Sequence, residues 1–212
     1  MIQLHTYYRS TSSYRVRIAL ALKDLDYSSV PINLVRDGGE HRQPAYLAQN
    51  PQGRVPMLST DEGVRIIQSP AIIEYLEERY PEPALLPADL VARAQHRAVA
   101  ALIGCDIHPL HNATVLNRLR EMQASEAQVM AWIARWVGDG LKAVEALIGE
   151  VGFCFGELGL ADVYLLPQLY AARRFQVDLD ALPRILRVER LALEHPAFKR
   201  AHPDAQPDSP AA

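Results

Sequence analysis

The sequence predicts a small α/β unit followed by an all-helical half, and three observations carry that reading. Up to Tyr80 the apolar residues alternate between a strand period and a helix period. Pro81, Pro83 and Pro87 then form a stiff linker over 81–88 in which no helix can run. Beyond it the pattern is helical almost throughout, from 89 to the end.

In the first unit, Ile2, Leu4 and Thr6 alternate with Gln3, His5 and Tyr7, which reads as a strand. After the polar run Arg9–Ser13, helical spacing begins, with Val16, Ala19, Leu20 and Leu22 as the expected buried stripe. Tyr27 to Leu34 reads as a second strand, and Pro31 within it points to an edge position or a strand end. Asp37-Gly38-Gly39 is a turn. Val55–Ser59 and Val64–Ile67 read as strands around a turn at Asp61-Glu62-Gly63. Ser69-Pro70 opens a helix as a capping hydroxyl followed by proline, with Ile72, Ile73 and Leu76 as its apolar face. In the second half, helices are expected over Asp89 to about Cys105, about Leu110 to Met122, Ser125 to about Ile148, Leu160 to about Arg173 and Pro183 to Glu194. Gly138 and Gly140 mark a kink in the third of these, and the last ten residues read as a loose tail.

The 212 residues, 49% apolar and 22% charged, suffice for a sizeable core. A net charge of -3 gives no reason to expect nucleic acid or an anionic membrane as partner, and no apolar run reaches the length of a membrane span. The start lacks the regions of a signal peptide, so the mature chain is expected to begin at Met1. Two separated cysteines make no disulfide framework, and a cytoplasmic location is expected.

Arg9-Ser10-Thr11-Ser12-Ser13-Tyr14-Arg15 is the stretch that speaks most directly to chemistry. Four successive hydroxyls stand between a strand and a helix, where unpaired N–H groups and the positive end of the helix dipole favour an anion such as a thiolate. The plainer alternative is an N-cap with more hydroxyls than it needs. Cys105, His108 and His111 are spaced by three and raise the alternative of a zinc site. Pro109 breaks the helix between the two histidines, no companion ligands appear, and no metal is expected.

The chain resembles the zeta class of glutathione transferases nearly end to end. The resemblance is carried by residues 8–23 (Tyr-Arg-Ser-Thr-Ser-Ser-Tyr-Arg-Val-Arg-Ile-Ala-Leu-Ala-Leu-Lys), 37–41, 50–56, 68–78, 105–112 and 174–178. The family's Ser-Ser-Cys-Ser segment is here Ser10-Thr11-Ser12-Ser13, so a protein thiol is absent while the hydroxyl donors remain. The resemblance implies a thioredoxin-like, glutathione-binding domain over 1–80 and an all-helical substrate-site domain over 89–212, which together make the glutathione transferase fold. It implies glutathione as cofactor, bound by Ser10, Thr11, Ser12, Ser13, Tyr14 and Arg15, with Val55 before a cis Pro56 pairing with the cysteinyl backbone. Gln68 and Ser69 would hold the γ-glutamyl carboxylate, and His41 and Gln52 would lie at the glycine end. On the helical side, His108, Asn112, Ala113 and Thr114 match residues near glutathione or substrate, with Asp106 expected at the same wall. Arg9 and Arg174 match carboxylate clamps, whereas Arg173 reads as a surface ion pair.

The implied reaction is glutathione-dependent cis–trans isomerisation of a small dicarboxylate, with Ser10 and Ser12 favouring the thiolate and Arg9 and Arg174 orienting the substrate. Maleylacetoacetate, from tyrosine and phenylalanine breakdown, is the expected substrate and maleylpyruvate the close alternative. A transferase or dehalogenase for small haloacids, and a non-catalytic binding protein on the same fold, are the other classes. A homodimer is expected from the resemblance. Gly159-Leu160-Ala161-Asp162 reads as a structural cap in which glycine replaces the family's serine or threonine.

Overall fold

The computed structural model describes residues 1–210, and the chain divides into two compact units. One comprises Met1–Ala84 together with the chain from Glu194, and the other comprises Leu85–Leu193.

In the first unit, β1 (Ile2–Thr6), α1 (Thr11–Leu22) and β2 (Tyr27–Pro31) form a β-α-β start, since β1 and β2 run parallel and need a crossover between them. After α2 (Pro44–Leu47) come β3 (Met57–Ser59), β4 (Arg65–Ile67) and α3 (Ser69–Arg79). The sheet order is β2-β1-β3-β4, with Leu4 of β1 facing Ser29 in parallel register and Leu58 in antiparallel register. This is the thioredoxin-like arrangement expected from the sequence, and Pro31 lies on the edge strand.

β1 is an inner strand whose simple alternation holds only at its start: Gln3 is exposed, but His5 and, just past the strand, Tyr7 are buried as well as Leu4 and Thr6. α1 departs further from the simple stripe. Val16, Ala19 and Leu20 are buried as expected and Leu22 only partly, but Arg15, Arg17 and Lys23 are buried too. Lys23 Nζ accounts for its burial by donating to the carbonyls of Tyr80 (2.6 Å) and Pro83 (3.0 Å) and pairing with Glu77 at 2.7 Å. The start of the proline-rich stretch is therefore tied to α1. α3 buries Ile72, Ile73 and Leu76, each worth about 1.5–3 kcal/mol on removal from water.

The second unit contains α4 (Leu90–Ala101), α5 (Ala113–Glu121), α6 (Glu126–Leu147), α7 (Leu160–Arg174) and the body of α8 (Pro183–Glu194). Asp89, Asn112 and Ser125 cap α4, α5 and α6 through their side chains. Between α4 and α5 the backbone widens into a π-helical turn over Leu102–Ile107 and then tightens into a 3-10 turn over His108–His111. A continuous helix to Cys105 is thus replaced by a change of pitch of the kind that re-aims side chains. Gly140 explains its own presence, because a Cβ there would collide with Ile107 of that turn. The glycine serves close approach, and α6 runs unbroken past it, contrary to the expected kink. Among the described residues, no helix is long and apolar enough to cross a membrane.

The loose tail expected over the last ten residues is a packed segment as far as it is described. It follows α9 (Pro196–Ala201) and a 3-10 turn over Pro203–Ala205, with Gln206 and Ser209 buried. Gln206 Nε2 donates to the carbonyls of Arg200 and His202, both at 2.9 Å, which closes the segment on itself. Polar bonds of this kind leave no apolar period for a sequence reading to detect. Residues 211 and 212, also part of the expected tail, lie outside the described residues.

Candidate active site

The turn from β1 into α1 decides what the hydroxyl run can do. Ser10 is the N-cap, with extended backbone (φ -69, ψ 118), and its Oγ accepts from Ser13 N–H at 3.2 Å. A hydroxyl can accept and donate at once, so this cap leaves the Ser10 O–H proton for a ligand. Ser10 and Ser12 are partly exposed, whereas Thr11, Ser13, Tyr14 and Arg15 are buried, Ser13 at 0% and Tyr14 and Arg15 at 1%. Of the six residues expected to bind the cofactor, the run therefore presents two hydroxyls to solvent. The N–H groups of Thr11 and Ser12 have no partner inside the helix and lie at its positive end. Exposed Arg9 sets its guanidinium 6.0 Å from the centre of the Tyr7 ring.

A second helix start lies at α3. The cap is Gln68 rather than Ser69, one residue earlier than the sequence suggested, and Ser69 is buried as the first helical residue. Gln68 holds φ 72, a conformation that non-glycine residues adopt at a cost of about 1–3 kcal/mol and mainly where a site requires it. Its Nε2 donates to Gln52 Oε1, so these two sequence-predicted residues meet. Val55–Pro56 is cis, and Val55 sits in an apolar cluster with Tyr7, Tyr46 and Met57. Tyr46 Oη and Asn50 Nδ2 both donate to the Arg54 carbonyl at 2.7 Å, fixing the backbone that leads into Val55. His41 is partly buried, and burial, then the charge of Arg42, lowers its pKa. Its Nδ1 is enclosed with no hydrogen-bond partner among the described residues.

In the second unit the candidates cluster along the π and 3-10 turns. Asp106 is exposed, His108 and Asn112 are partly exposed, and Ala113 and Thr114 are exposed at the start of α5. Asn112 Oδ1 is occupied as the α5 cap, accepting from Thr114 N–H at 3.1 Å. His108 meets the ring of His111 edge-on at 5.3 Å, and His111 Nε2 lies 3.1 Å from Gln168 Oε1. Among the described residues no three His, Cys, Asp or Glu side chains gather as a metal would need, so Cys105, His108 and His111 do not converge. Arg174 is exposed and stacks on Phe175 at 4.6 Å, while Arg173 pairs with Glu189 at 2.7 Å, as expected of a surface ion pair.

The start of α7 is structural. Buried Asp162 accepts from the N–H groups of Cys154 and Gly159, both at 2.8 Å. His96 Nδ1 accepts from Ala161 N–H at 3.4 Å, so an imidazole from α4 serves the helix start where glycine offers no side chain. Burial raises the pKa of both Asp162 and Cys154 and lowers that of His96.

Residues 4–84 match the family model of the glutathione S-transferase N-terminal domain. The maleylacetoacetate isomerase of Pseudomonas aeruginosa is 71% identical over 212 residues, the whole of both chains. A solved bacterial maleylpyruvate isomerase, described as a zeta-class glutathione S-transferase, superposes with a TM-score of 0.93 at 47% identity, covering 98% of this chain and 99% of its own. The chain belongs to the zeta-class glutathione transferases. Another solved member, the maleylacetoacetate isomerase of Anaeromyxobacter dehalogenans 2CP-1, has glutathione bound in its active site; it gives a TM-score of 0.89 at 42% identity, covering 99% of this chain and 98% of its own.

Within the zeta-class frame, sequence reasoning missed Arg17 and Asp208. Arg17 donates through Nη2 to the Tyr8 carbonyl (2.9 Å) and through Nη1 to Thr6 Oγ1 (3.1 Å) and the Tyr7 carbonyl (3.4 Å). Asp208 Oδ2 accepts from Tyr8 N–H at 2.9 Å. A charged residue amid the apolar run of α1 was a usable signal for the first; nothing in the proline-rich end signalled the second.

Proposed function

We propose that this chain is a glutathione-dependent cis–trans isomerase of maleylacetoacetate, acting in tyrosine and phenylalanine breakdown. The observation that carries the reading is the Ser10 geometry, a hydroxyl that caps α1 by accepting and keeps its proton to donate, in a chain 71% identical over its whole length to a maleylacetoacetate isomerase.

The residues of the first unit suit glutathione. Two accessible hydroxyls at a helix start favour an anionic sulfur, the Gln68–Ser69 start of α3 favours a carboxylate, and the paired amides of Gln52 and Gln68 offer polar edges to a peptide. His41, partly exposed, is assigned to the glycine end. Bound glutathione supplies a sulfur nucleophile able to add to, and leave, a double bond conjugated to a carbonyl. Ser10 and Ser12 hold the charge on that sulfur, helped by the N–H groups of Thr11 and Ser12. The guanidinium groups of Arg9 and Arg174 each can bond both oxygens of a carboxylate, so they hold a dicarboxylate in orientation and stabilise charge that develops toward its carbonyl. Asp106, His108, Asn112, Ala113 and Thr114 complete the proposed contacts from the helical side. The first unit is thus the glutathione-binding part and the helical unit contributes the substrate site, in a cytoplasmic homodimer; both cysteines are free, which suits a reducing compartment.

A second substrate has specific support, because the neighbour with TM-score 0.93 is a maleylpyruvate isomerase. Assays of both cis acids, with and without glutathione, test the reading. The account expects activity only with glutathione, no net consumption of it, and a higher kcat/KM for maleylacetoacetate. Preference for maleylpyruvate would reassign the substrate, and consumption of glutathione with a haloacid would make the chain a conjugating or dehalogenating transferase.

A further inference from the structure

The turn that carries Ser10 is braced by the far end of the chain. Tyr8, two residues before that serine, has both of its peptide groups taken by charged side chains. Its N–H donates to Asp208 Oδ2 at 2.9 Å, and its carbonyl accepts from Arg17 Nη2 at 2.9 Å. The brace continues in both directions. The Tyr7 carbonyl accepts from Ser10 N–H at 3.0 Å, linking the braced residues directly to the cap. Arg17 Nε donates to the Ala201 carbonyl at 3.0 Å, so the same guanidinium ties the turn to the end of α9. Arg17 is 1% exposed and lies over the Tyr14 ring, 5.4 Å from its centre. On the other side, buried Gln206 and Ser209 seat the segment that carries Asp208, and Ser209 N–H donates to the Gln206 carbonyl at 2.9 Å.

The two charged groups are not equivalent. Arg17 belongs to α1 itself and moves with the helix that Ser10 caps. Asp208 comes from 200 residues away and fixes the turn against a separate segment. A carboxylate bonded to a backbone N–H makes one of the stronger hydrogen bonds available to a main chain.

We propose that Asp208 is a positioning residue for the thiol-holding turn, setting the place of the Ser10 hydroxyl through the Tyr8 amide. The proposal rests on the reading of Ser10 as donor to the glutathione sulfur. A displacement of the order of 1 Å in such a donor costs about a hundredfold in rate, so a brace two residues away has leverage.

The test uses the full chain with Asp208→Ala and with Asp208→Asn, whose amide oxygen can still accept from Tyr8 N–H. Three quantities are compared with the unaltered protein: hydrogen exchange at the Tyr8 amide without ligand, the pH at which the bound glutathione thiol ionises, read by thiolate absorbance, and kcat and KM for the isomerisation. In Asp208→Ala the Tyr8 amide is expected to exchange at least about tenfold faster, the thiol to ionise at higher pH, and kcat to fall about tenfold with KM for glutathione within about twofold. Asp208→Asn is expected to restore all three. The proposal is overturned if the alanine variant leaves thiol ionisation and kcat within about twofold, or if the asparagine variant falls as far as alanine. Unchanged Tyr8 exchange in the alanine variant overturns it as well, without reference to any ligand. If the unaltered protein neither acidifies the bound thiol nor isomerises, the fault lies in the functional reading, and the exchange result still reports on the brace by itself.

Discussion

Two helix starts in this chain face the same physical problem and solve it in opposite ways. At α1 the orphan N–H groups meet a run of hydroxyls, with Ser10 and Ser12 open to solvent. At α7 they meet a glycine, and the missing side chain is replaced by Asp162 and His96, both buried. The first keeps unspent donor capacity at the surface, which a ligand can use. The second spends its capacity internally and binds two chain segments, since Asp162 also accepts from Cys154 N–H. The residue types at a helix start are thus a weak guide to function; the direction in which donors remain free is the better one.

The largest effect that tests this contrast is on stability at α7. Asp162→Ala removes two hydrogen bonds to a buried carboxylate and leaves two N–H groups without acceptors, so unfolding should become easier by about 3 kcal/mol or more. A denaturant titration checks it, and a loss below about 1 kcal/mol would break the comparison. Next, restoring a serine at the α7 cap should do harm here. A Cβ on Gly159 would stand 2.9 Å from the Leu85 carbonyl and overlap the His96 ring. Gly159→Ser alone should cost about 1–3 kcal/mol, and thermal melts should show His96→Ala relieving part of that cost in the double variant.

At α1 the effect should appear in rate rather than in stability. Ser10→Ala and Ser12→Ala should each slow isomerisation, the dominant one by at least about tenfold, or roughly 1.4 kcal/mol. Loss of the Ser10 cap should also cost about 1 kcal/mol of stability, so melts and kinetics together separate the two roles. Unchanged rates in both variants would remove the distinction between the helix starts.

The smallest predicted effect is on pH dependence. His96, His5, His41 and His202 all have pKa values lowered from 6.5, with burial the largest cause in each. A histidine that is harder to protonate when folded lets the unfolded chain bind more protons, so stability rises with pH across that window. The contribution is complete above pH 6.5 and is lost as pH falls toward the lowered folded values. Melts from pH 7.5 down to 5 should show this decline, less steep in His96→Ala.

Much of this was legible in the sequence because it depends on period and local chemistry. The apolar face of α3 at Ile72, Ile73 and Leu76, the edge position of Pro31 and the hydroxyl cap at Ser10 all follow from neighbours in the chain. What escaped depends on residues far apart. Arg17 is buried because main-chain oxygens of Tyr7, Tyr8 and Ala201 surround it, and Gly140 is needed because Ile107 comes against it. The final segment reads as loose because its prolines and polar residues lack a period, yet Asp208 finds Tyr8. In the candidate site the hydroxyl run was visible, but which hydroxyls stay accessible was not, since burial of Thr11 and Ser13 is decided by packing.

The most direct measurement of the central claim is the ultraviolet titration of the thiol of glutathione bound to the unaltered protein, with Ser10→Ala and Ser12→Ala alongside. A free cysteinyl thiol ionises near pH 8.5, give or take the peptide around it. The account predicts that the bound thiol ionises at clearly lower pH and that removing the dominant hydroxyl moves it back upward. A bound thiol that titrates as it does in free solution would contradict the account at its base.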